Sequence, residues 1–344
     1  MISARLLVFL SWLTAWSGSS VPSSPVPSSP PAKARIVRIH NHAATRAFEP
    51  DLEKVKEMFD HALLRFAGKT DVAQAWKEVI SLQDTVGIKV VSAPGPRAGT
   101  RVALAEAVVH SLIKGGLSPG QIIIWDKHLS DLEGSGFRRL AEKFHISLAG
   151  SAESGYDQSA FYENALIGNL LWGDVEFGKT GDNVGRKSFV SSLLTGRITR
   201  IINISPLLNH NLSGVNGNLY SLGLGSVDNT SRFESAPERL ATALPELYAM
   251  PALGDRVALN IIDALICQYQ GEQRVRLHYS VPLNEIWISK DPVALDIWAI
   301  QELERQRQIA KVPSSRPNLE IYQNASLMEL GISSTNLVQI ETVR

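Results

Sequence analysis

Short apolar runs alternate along the chain with amphipathic segments, which is the pattern of strands and helices in an α/β protein. The apolar runs mostly lack alternating polar residues, as expected for strands that are covered by helices on both faces of a sheet. We predict strands at residues 36–40, 86–91, 121–125, 198–204, 257–262 and 285–289. We predict helices at residues 51–66, 72–82, 100–114, 237–250 and 292–306.

The clearest unit is a strand, a helix and a second strand between Val86 and Asp126. A Pro/Gly loop follows the first strand, Thr100 is expected to cap the helix, and two glycines follow Lys114 at its end. This order is typical of a crossover between parallel strands. We therefore predict an α/β fold with a mostly parallel or mixed sheet and helices on both faces. The chain would form a single domain with a Gly/Asn-rich insertion, which we place mainly at residues 150–196.

The first segment of the chain has the order of a secretory signal. Arg5 precedes an apolar run that is short for a membrane span, and small residues follow this run at the end of the segment 1–20. Residues 21–33 are mostly Pro, Ser and Val and predict a linker, since such a tract cannot bury a core. The α/β domain would then cover residues 34–344. We expect a bacterial protein exported to the periplasm or cell surface, whose only membrane contact is this signal or, alternatively, an uncleaved anchor.

Charge and cysteine content exclude several functions. The chain has 34 basic and 34 acidic residues and a formal net charge of zero, which argues against a nucleic-acid partner. The single cysteine, Cys267, excludes an internal disulfide, a Cys-ligated iron–sulfur cluster and a multi-Cys zinc site. We therefore expect no iron–sulfur cluster, whereas a divalent metal stays open as a cofactor.

Two charged residues lie where strands are predicted to end. Lys89 sits within an apolar run, where a lysine is costly unless it is paired or reaches the end of the sheet. Asp126 follows the 121–125 strand, and open parallel sheets bind ligands beyond the carboxyl ends of their strands. We predict that Lys89 and Asp126 are catalytic and form an ion pair or an acid/base pair. A snorkelling lysine and a turn or cap aspartate are the structural alternatives.

Amide side chains and one imidazole cluster after the 198–204 strand, in a glycine-rich stretch that would allow close approach to a ligand. We predict that His210, which can exchange a proton near neutral pH, is a catalytic proton carrier. The amides that we predict to bind a small polar ligand are Asn203, Asn209, Asn211 and Asn229. The alternative is a turn-rich loop whose Asn side chains bond to their own backbone.

Asp263 and Asp291 also follow apolar strand runs and are the candidate metal ligands. Two carboxylates at ~4 Å would repel by roughly 4 kcal/mol at an effective dielectric constant near ~20, so their convergence would require a cation, a shared proton or a basic neighbour. Asp291 precedes Pro292, which is the pattern of a helix start, so helix capping is its structural alternative.

Residues 173–180 match the phosphate-loop expression, but their surroundings do not fit a nucleotide site. The residues after Thr180 are poor helix formers, and Asp174 and Glu176 would add negative charge to the anion cradle. We predict a polar loop at this position.

Seven short motifs together resemble the domain-of-unknown-function 362 family over roughly residues 36–343. They are residues 86–90 (VGIKV), 123–126 (IIWD), 202–204 (INI), 209–215 (NHNLSGV), 225–229 (GSVDN), 263–265 (DAL) and 291–296 (DPVALD). The resemblance implies an exported bacterial α/β protein whose activity is unassigned. Some relatives carry Cys-rich ferredoxin-like modules, for which this chain has no counterpart.

The residues and the resemblance lead to two alternative functions. The first is an exported enzyme or enzyme-like protein with a polar, small-molecule and optionally metal-assisted site beyond the strand ends. The second is a non-catalytic envelope accessory or binding protein. The first predicts that Lys89, Asp126, Asn203 and His210 line one pocket, and the second predicts that they do not converge.

Overall fold

The apolar runs form the strands of a large mixed sheet in the computed structural model, which describes residues 33–164, 186–234 and 236–343. The predicted signal, the linker before Lys33 and the phosphate-loop-like segment 173–180 lie outside the described residues. None of the helices in the described ranges is long and apolar enough to cross a membrane.

The strands and helices follow in the order that the apolar pattern indicates, with additional short elements between them. The strands are β1 (Ala34–His40), β2 (Thr45–Arg46), β3 (Glu49–Pro50), β4 (Val86–Lys89), β5 (Ile122–Asp126), β6 (Ser147–Gly150), β7 (Tyr156–Glu163), β8 (Lys187–Ser191), β9 (Arg200–His210), β10 (Gly214–Val215), β11 (Val257–Gln268), β12 (Ser280–Ser289) and β13 (Val338–Val343). The helices are α1 (Leu52–Ala67), α2 (Val72–Lys77), α3 (Val102–Lys114), α4 (Leu129–Gly134), α5 (Phe137–Phe144), α6 (Ser151–Ser154), α7 (Ser192–Gly196), α8 (Asn218–Ser226), α9 (Ser231–Glu234), α10 (Pro237–Tyr248), α11 (Pro292–Ala310) and α12 (Glu320–Leu327).

The main sheet has the strand order β13-β1-β12-β11-β9-β4-β5-β6, and β10 adds to β9. Strands β11, β9, β4, β5 and β6 are all parallel to one another, so their carboxyl ends lie at one edge. Strand β12 is antiparallel to both β11 and β1. The sheet is therefore mixed, as predicted, with a parallel half that begins at β11.

Helices cover both faces of the sheet, as the continuous apolar strand runs predict. One core lies between the sheet and α1, α2, α3 and α5, and it buries Phe59, Trp76 and Phe137. The other lies between the sheet and α8, α10, α11 and α12, and it buries Trp125 and Trp287. Polar groups at the strand ends are thus held between two apolar layers.

Most predicted helix starts are correct, but the predicted cap of α3 is wrong. Aspartates cap α1, α2 and α11, and Asp291 fulfils this role at α11. Thr100 does not cap α3, because the N-cap position of this helix is occupied by Arg101. The Thr100 hydroxyl instead accepts from the Val91 amide at 2.9 Å and donates to the Ile204 carbonyl at 2.8 Å, so it connects the loop after β4 to β9.

The glycine-rich stretch after β9 is not the turn-rich loop of the alternative prediction. It contains α8, a nine-residue helix whose residues are all buried. Part of the predicted insertion at residues 150–196 is also regular structure, because β7 and β8 pair as an antiparallel hairpin. Strands β9 and β11 extend well beyond the predicted ends of 198–204 and 257–262.

Candidate functional site

Lys89 and Asp126 form a buried ion pair at the carboxyl ends of β4 and β5. The Lys89 Nζ lies 2.8 Å from Asp126 Oδ1 and donates a second hydrogen bond to the Val90 carbonyl at 2.7 Å. The other carboxylate oxygen accepts from the amide and the hydroxyl of Ser92 at 2.7 and 2.6 Å. Both charges are therefore compensated inside the protein.

The surroundings of this pair are tightly closed. Burial alone would raise the pKa of Asp126, but Lys89 and Ser92 outweigh it and hold the pKa below its usual value. A Cβ atom at Gly225 of α8 would lie 2.2 Å from Lys89 Cε, so only glycine allows the helix to pass this close. The Lys89 side chain is 1% exposed and the Asp126 side chain is 10% exposed, so both are largely shielded from solvent.

Asn203 lies beside Lys89 in the sheet and holds α8 in place. The register pairs Asn203 with Lys89 on one side and with Asn260 on the other. Its amide donates to the Asn218 carbonyl at 2.9 Å, and its oxygen accepts from the Ser221 hydroxyl at 3.3 Å. Protein groups therefore use both ends of the Asn203 amide.

His210 does not join the Lys89–Asp126 pair. It lies seven residues beyond Asn203 on β9, which corresponds to roughly 20 Å of strand. The sequence suggested that this strand ends near Ile204, and the strand instead continues to His210. The three predicted catalytic residues therefore do not share one pocket.

The His210 ring is fixed in position and favours the neutral form. Its Nδ1 accepts from the Ser213 amide at 3.3 Å and lies 3.0 Å from the Ser213 hydroxyl, which also contacts the Val215 carbonyl. The ring packs against Tyr220 with centroids 4.2 Å apart. Burial lowers the pKa of His210, although Glu272 and Glu234 oppose the shift. Because Nδ1 accepts from the amide, the neutral ring carries its proton on Nε2.

A cavity of about 450 Å³ lies beside His210, at the ends of the parallel strands β9 and β11. We call it the His210 cavity. Its chemically active lining residues are His210, Asn211, Gln270, Glu272, Arg274 and Arg276. Four of these come from the β11–β12 connection, which sequence analysis did not single out. The sequence feature that could have revealed these four residues is a short polar run with two arginines between two apolar strands.

Asn209 and Asn211, two of the predicted ligand-binding residues, hold this connection in place. The Asn209 side-chain oxygen accepts from the Glu272 backbone N–H at 3.0 Å, and the Asn211 backbone N–H donates to the Glu272 carboxylate at 3.0 Å. Gly271 has a φ of +108°, and a Cβ there would lie 2.3 Å from Arg276 Cγ. This turn therefore needs glycine to bring Arg276 back to the cavity.

Asn229 lies away from the His210 cavity, next to the β7–β8 hairpin. Its side-chain amide donates to the Lys187 carbonyl at 3.1 Å, and its backbone has a φ of +46°. Asparagine tolerates this left-handed conformation better than most residues do. The contacts of Asn229 thus connect the segment after α8 to β8.

The structure does not bring Asp263 and Asp291 together. Asp263 lies opposite Ile286, whereas Asp291 follows Ser289, which pairs with Asn260 toward the start of β11. Asp263 accepts from the amides of Arg101 and Leu265, and Asp291 from those of Ala294 and Ile332. Burial raises the pKa of both aspartates. In the described residues no group of three or more His, Cys, Asp or Glu side chains could hold a metal ion.

Comparisons with known proteins identify a family and a distant structural similarity. A crystal structure of a Thermotoga maritima protein from the Northeast Structural Genomics Consortium is 12% identical, with a TM-score of 0.43. The match covers 76% of this chain and 60% of that one. No curated protein matches the chain. The model of a family described as a domain of unknown function (DUF362) matches residues 86–301. The chain therefore belongs to the DUF362 family.

Proposed function

We propose that the protein binds a small carboxylate-bearing ligand in the His210 cavity. The observation that carries the proposal is that two arginines, Arg274 and Arg276, line a cavity together with a fixed imidazole. Among the described residues, neither guanidinium forms an ion pair within 4.0 Å. A guanidinium matches a carboxylate through two parallel hydrogen bonds, so a ligand with two carboxylates could engage both arginines.

The charge of the cavity supports an anionic ligand. Arg274 and Arg276 contribute two positive charges, and Glu272, whose carboxylate accepts from the Asn211 amide, contributes one negative charge. His210 adds a neutral Nε2–H donor at pH 7, because its pKa is lowered. The buried Gln270 oxygen has no hydrogen-bond partner and would accept from a ligand hydroxyl or amide.

An enzymatic role for this cavity would depend on His210. A neutral imidazole with a fixed tautomer donates a hydrogen bond to a ligand oxygen and stays neutral. The Lys89–Asp126 pair lies elsewhere and is buried, so in this proposal it supports the sheet edge instead of contacting the ligand. The chemistry that the site offers is therefore hydrogen bonding to an anion from the arginines and the neutral imidazole.

Calorimetric titration with succinate tests the proposal. We expect saturable binding to the full protein and a loss of about tenfold or more in affinity for R274Q–R276Q, since a charged hydrogen bond contributes about 1.5–3 kcal/mol. The matched control is R139Q–R316Q, which removes two arginines that do not line the cavity. Absence of saturable binding to the unmodified protein, or an equal loss in the control variant, would refute the proposal.

We also propose that the protein is exported by a bacterium, on the basis of the order of residues 1–33. Residues 1–33 fused to a reporter that requires disulfide bonds should yield active reporter, because disulfides persist outside the cytosol. Replacing Leu6, Leu7 and Leu10 by Glu should abolish reporter activity, because the apolar region of a signal is then lost. Equal activity of both fusions would contradict export through this segment.

A further inference from the structure

Arg232 is the most unusual charged group in the described part of the chain. Its side chain lies at the start of α9 and the residue is only 1% exposed. None of its three guanidinium nitrogens has a hydrogen-bond partner. A buried guanidinium without hydrogen-bond partners is unfavourable, because it has lost its hydration, and burial lowers the pKa of Arg232 although Tyr162, Glu163 and Asp228 oppose the shift. Such a group indicates that a binding partner completes it.

The neighbouring side chains do not supply that partner. The Tyr162 ring lies 5.4 Å from the Arg232 guanidinium carbon. The Tyr162 hydroxyl donates to Glu246 at 2.5 Å. Glu163 lies 3.6 Å from Arg186, and Asp228 accepts from the Phe189 amide at 2.6 Å. Glu163 and Asp228 therefore act on Arg232 only through space, and in the described ranges no carboxylate forms an ion pair with its guanidinium.

Further hydrogen-bond donors lie on the same segment. The Ser231 hydroxyl is buried and also has no partner. The Lys127 ammonium group, which directly follows the carboxyl end of β5, donates to the Thr230 hydroxyl at 2.9 Å. The segment 230–232 therefore combines a planar guanidinium, a free hydroxyl and a nearby ammonium group, which is a donor set that suits a phosphate group.

We propose that Arg232, with Ser231 and Lys127, forms a buried site for the phosphate group of a small molecule. None of these residues lines the His210 cavity. This inference therefore does not rest on the proposed carboxylate site, and each can fail without the other. The buried Tyr162 ring beside Arg232 would provide an apolar wall for the remainder of the ligand.

Thermal unfolding in phosphate-free buffer and in inorganic phosphate, at matched ionic strength, tests this site. Phosphate should raise the Tm of the full protein by several degrees, because a ligand that binds only the native state stabilises it. The R232M variant should show no phosphate response. In phosphate-free buffer its Tm should equal or exceed that of the unmodified protein, since an uncompensated buried charge is removed.

Two further variants complete the test. R307M is the matched control, because Arg307 is also buried but contacts Glu304 and Ser315; it should lose stability and keep the phosphate response. R232K keeps the positive charge but loses the planar guanidinium, so its phosphate response should be weaker than that of the unmodified protein. If R232M does not fold, R232K takes its place in the test. Acetate should not replace phosphate. A phosphate response that is absent in the unmodified protein, or unchanged in R232M or R232K, would overturn the proposal.

Discussion

Lys89 keeps its charge inside the protein because Asp126 and the Val90 carbonyl both accept hydrogen bonds from its ammonium group. A lysine in an apolar strand is rarely buried without an ion-pair or hydrogen-bond partner, and this expectation can be applied to the sequence alone. The sequence could therefore predict that Lys89 is paired. It could not predict that Gly225 of a distant helix closes the pair off, because that contact depends on how α8 packs.

Removing one charge of the pair should be far more costly than removing both. D126N leaves the buried Lys89 ammonium group without a counter-charge and should lower the free energy of unfolding by about 3–5 kcal/mol. The double variant K89M–D126N should be destabilised by less than the sum of the two single variants, by at least about 1 kcal/mol. Urea denaturation of the four proteins measures this coupling. Strictly additive losses would show that the two side chains do not stabilise each other.

Helix α8 shows why an element can escape sequence analysis. Its nine residues include two glycines and no charged side chain, and all nine are buried, so it has no polar face that would reveal a helical period. The helix is stabilised by tertiary contacts instead. Asp296 of α11 accepts from the amides of Asn218 and Leu219 at 2.7 and 3.0 Å, which satisfies the free N–H groups at the start of α8.

The capping carboxylate should make stability depend on pH. Burial raises the pKa of Asp296 to about 7, despite the opposing hydrogen bonds from Asn218 and Leu219. The unfolded chain releases this proton near pH ~4, so the folded state holds an extra proton between about pH 4 and 7. Stability from this group is therefore greatest below pH ~4 and declines by roughly 4 kcal/mol as the pH rises to ~7.

The variant D296N tests this assignment, because asparagine stays neutral at every pH. Urea denaturation at several pH values between 4.5 and 8 should show that D296N gains stability relative to the unmodified protein as the pH rises. The difference should level off above about pH 7, where the folded carboxyl group is also ionised. Parallel pH profiles for the two proteins would mean that Asp296 titrates at its ordinary pKa when folded.

At the scale of the whole molecule, the carboxyl edge of the parallel strands is stepped. Strands β4 and β5 end at Lys89 and Asp126, whereas β9 and β11 continue to His210 and Gln268. The apolar pattern could predict a mixed α/β sheet and polar groups at strand ends. It could not predict the step, because Pro206 and Asp263 look like strand terminators in sequence although both lie within paired strands.

Because the strands end at different levels, only part of the candidate site could be predicted from the sequence. His210 and Asn211 were recognisable as polar residues after a strand, and both line the His210 cavity. Arg274 and Arg276 were not, because they belong to a connection whose position depends on the unexpected length of β11. Residues from separate strand ends were expected in one pocket, and the structure distributes them over two places at the same edge.

A crystal structure of the protein grown with succinate would show whether the His210 cavity is a binding site for a small carboxylate-bearing ligand, as we claim. We expect the two carboxylates to be held by Arg274 and Arg276, with His210 Nε2 within hydrogen-bond distance of one oxygen. Succinate bound only elsewhere, or an unoccupied His210 cavity at concentrations that saturate the calorimetric titration, would contradict the claim.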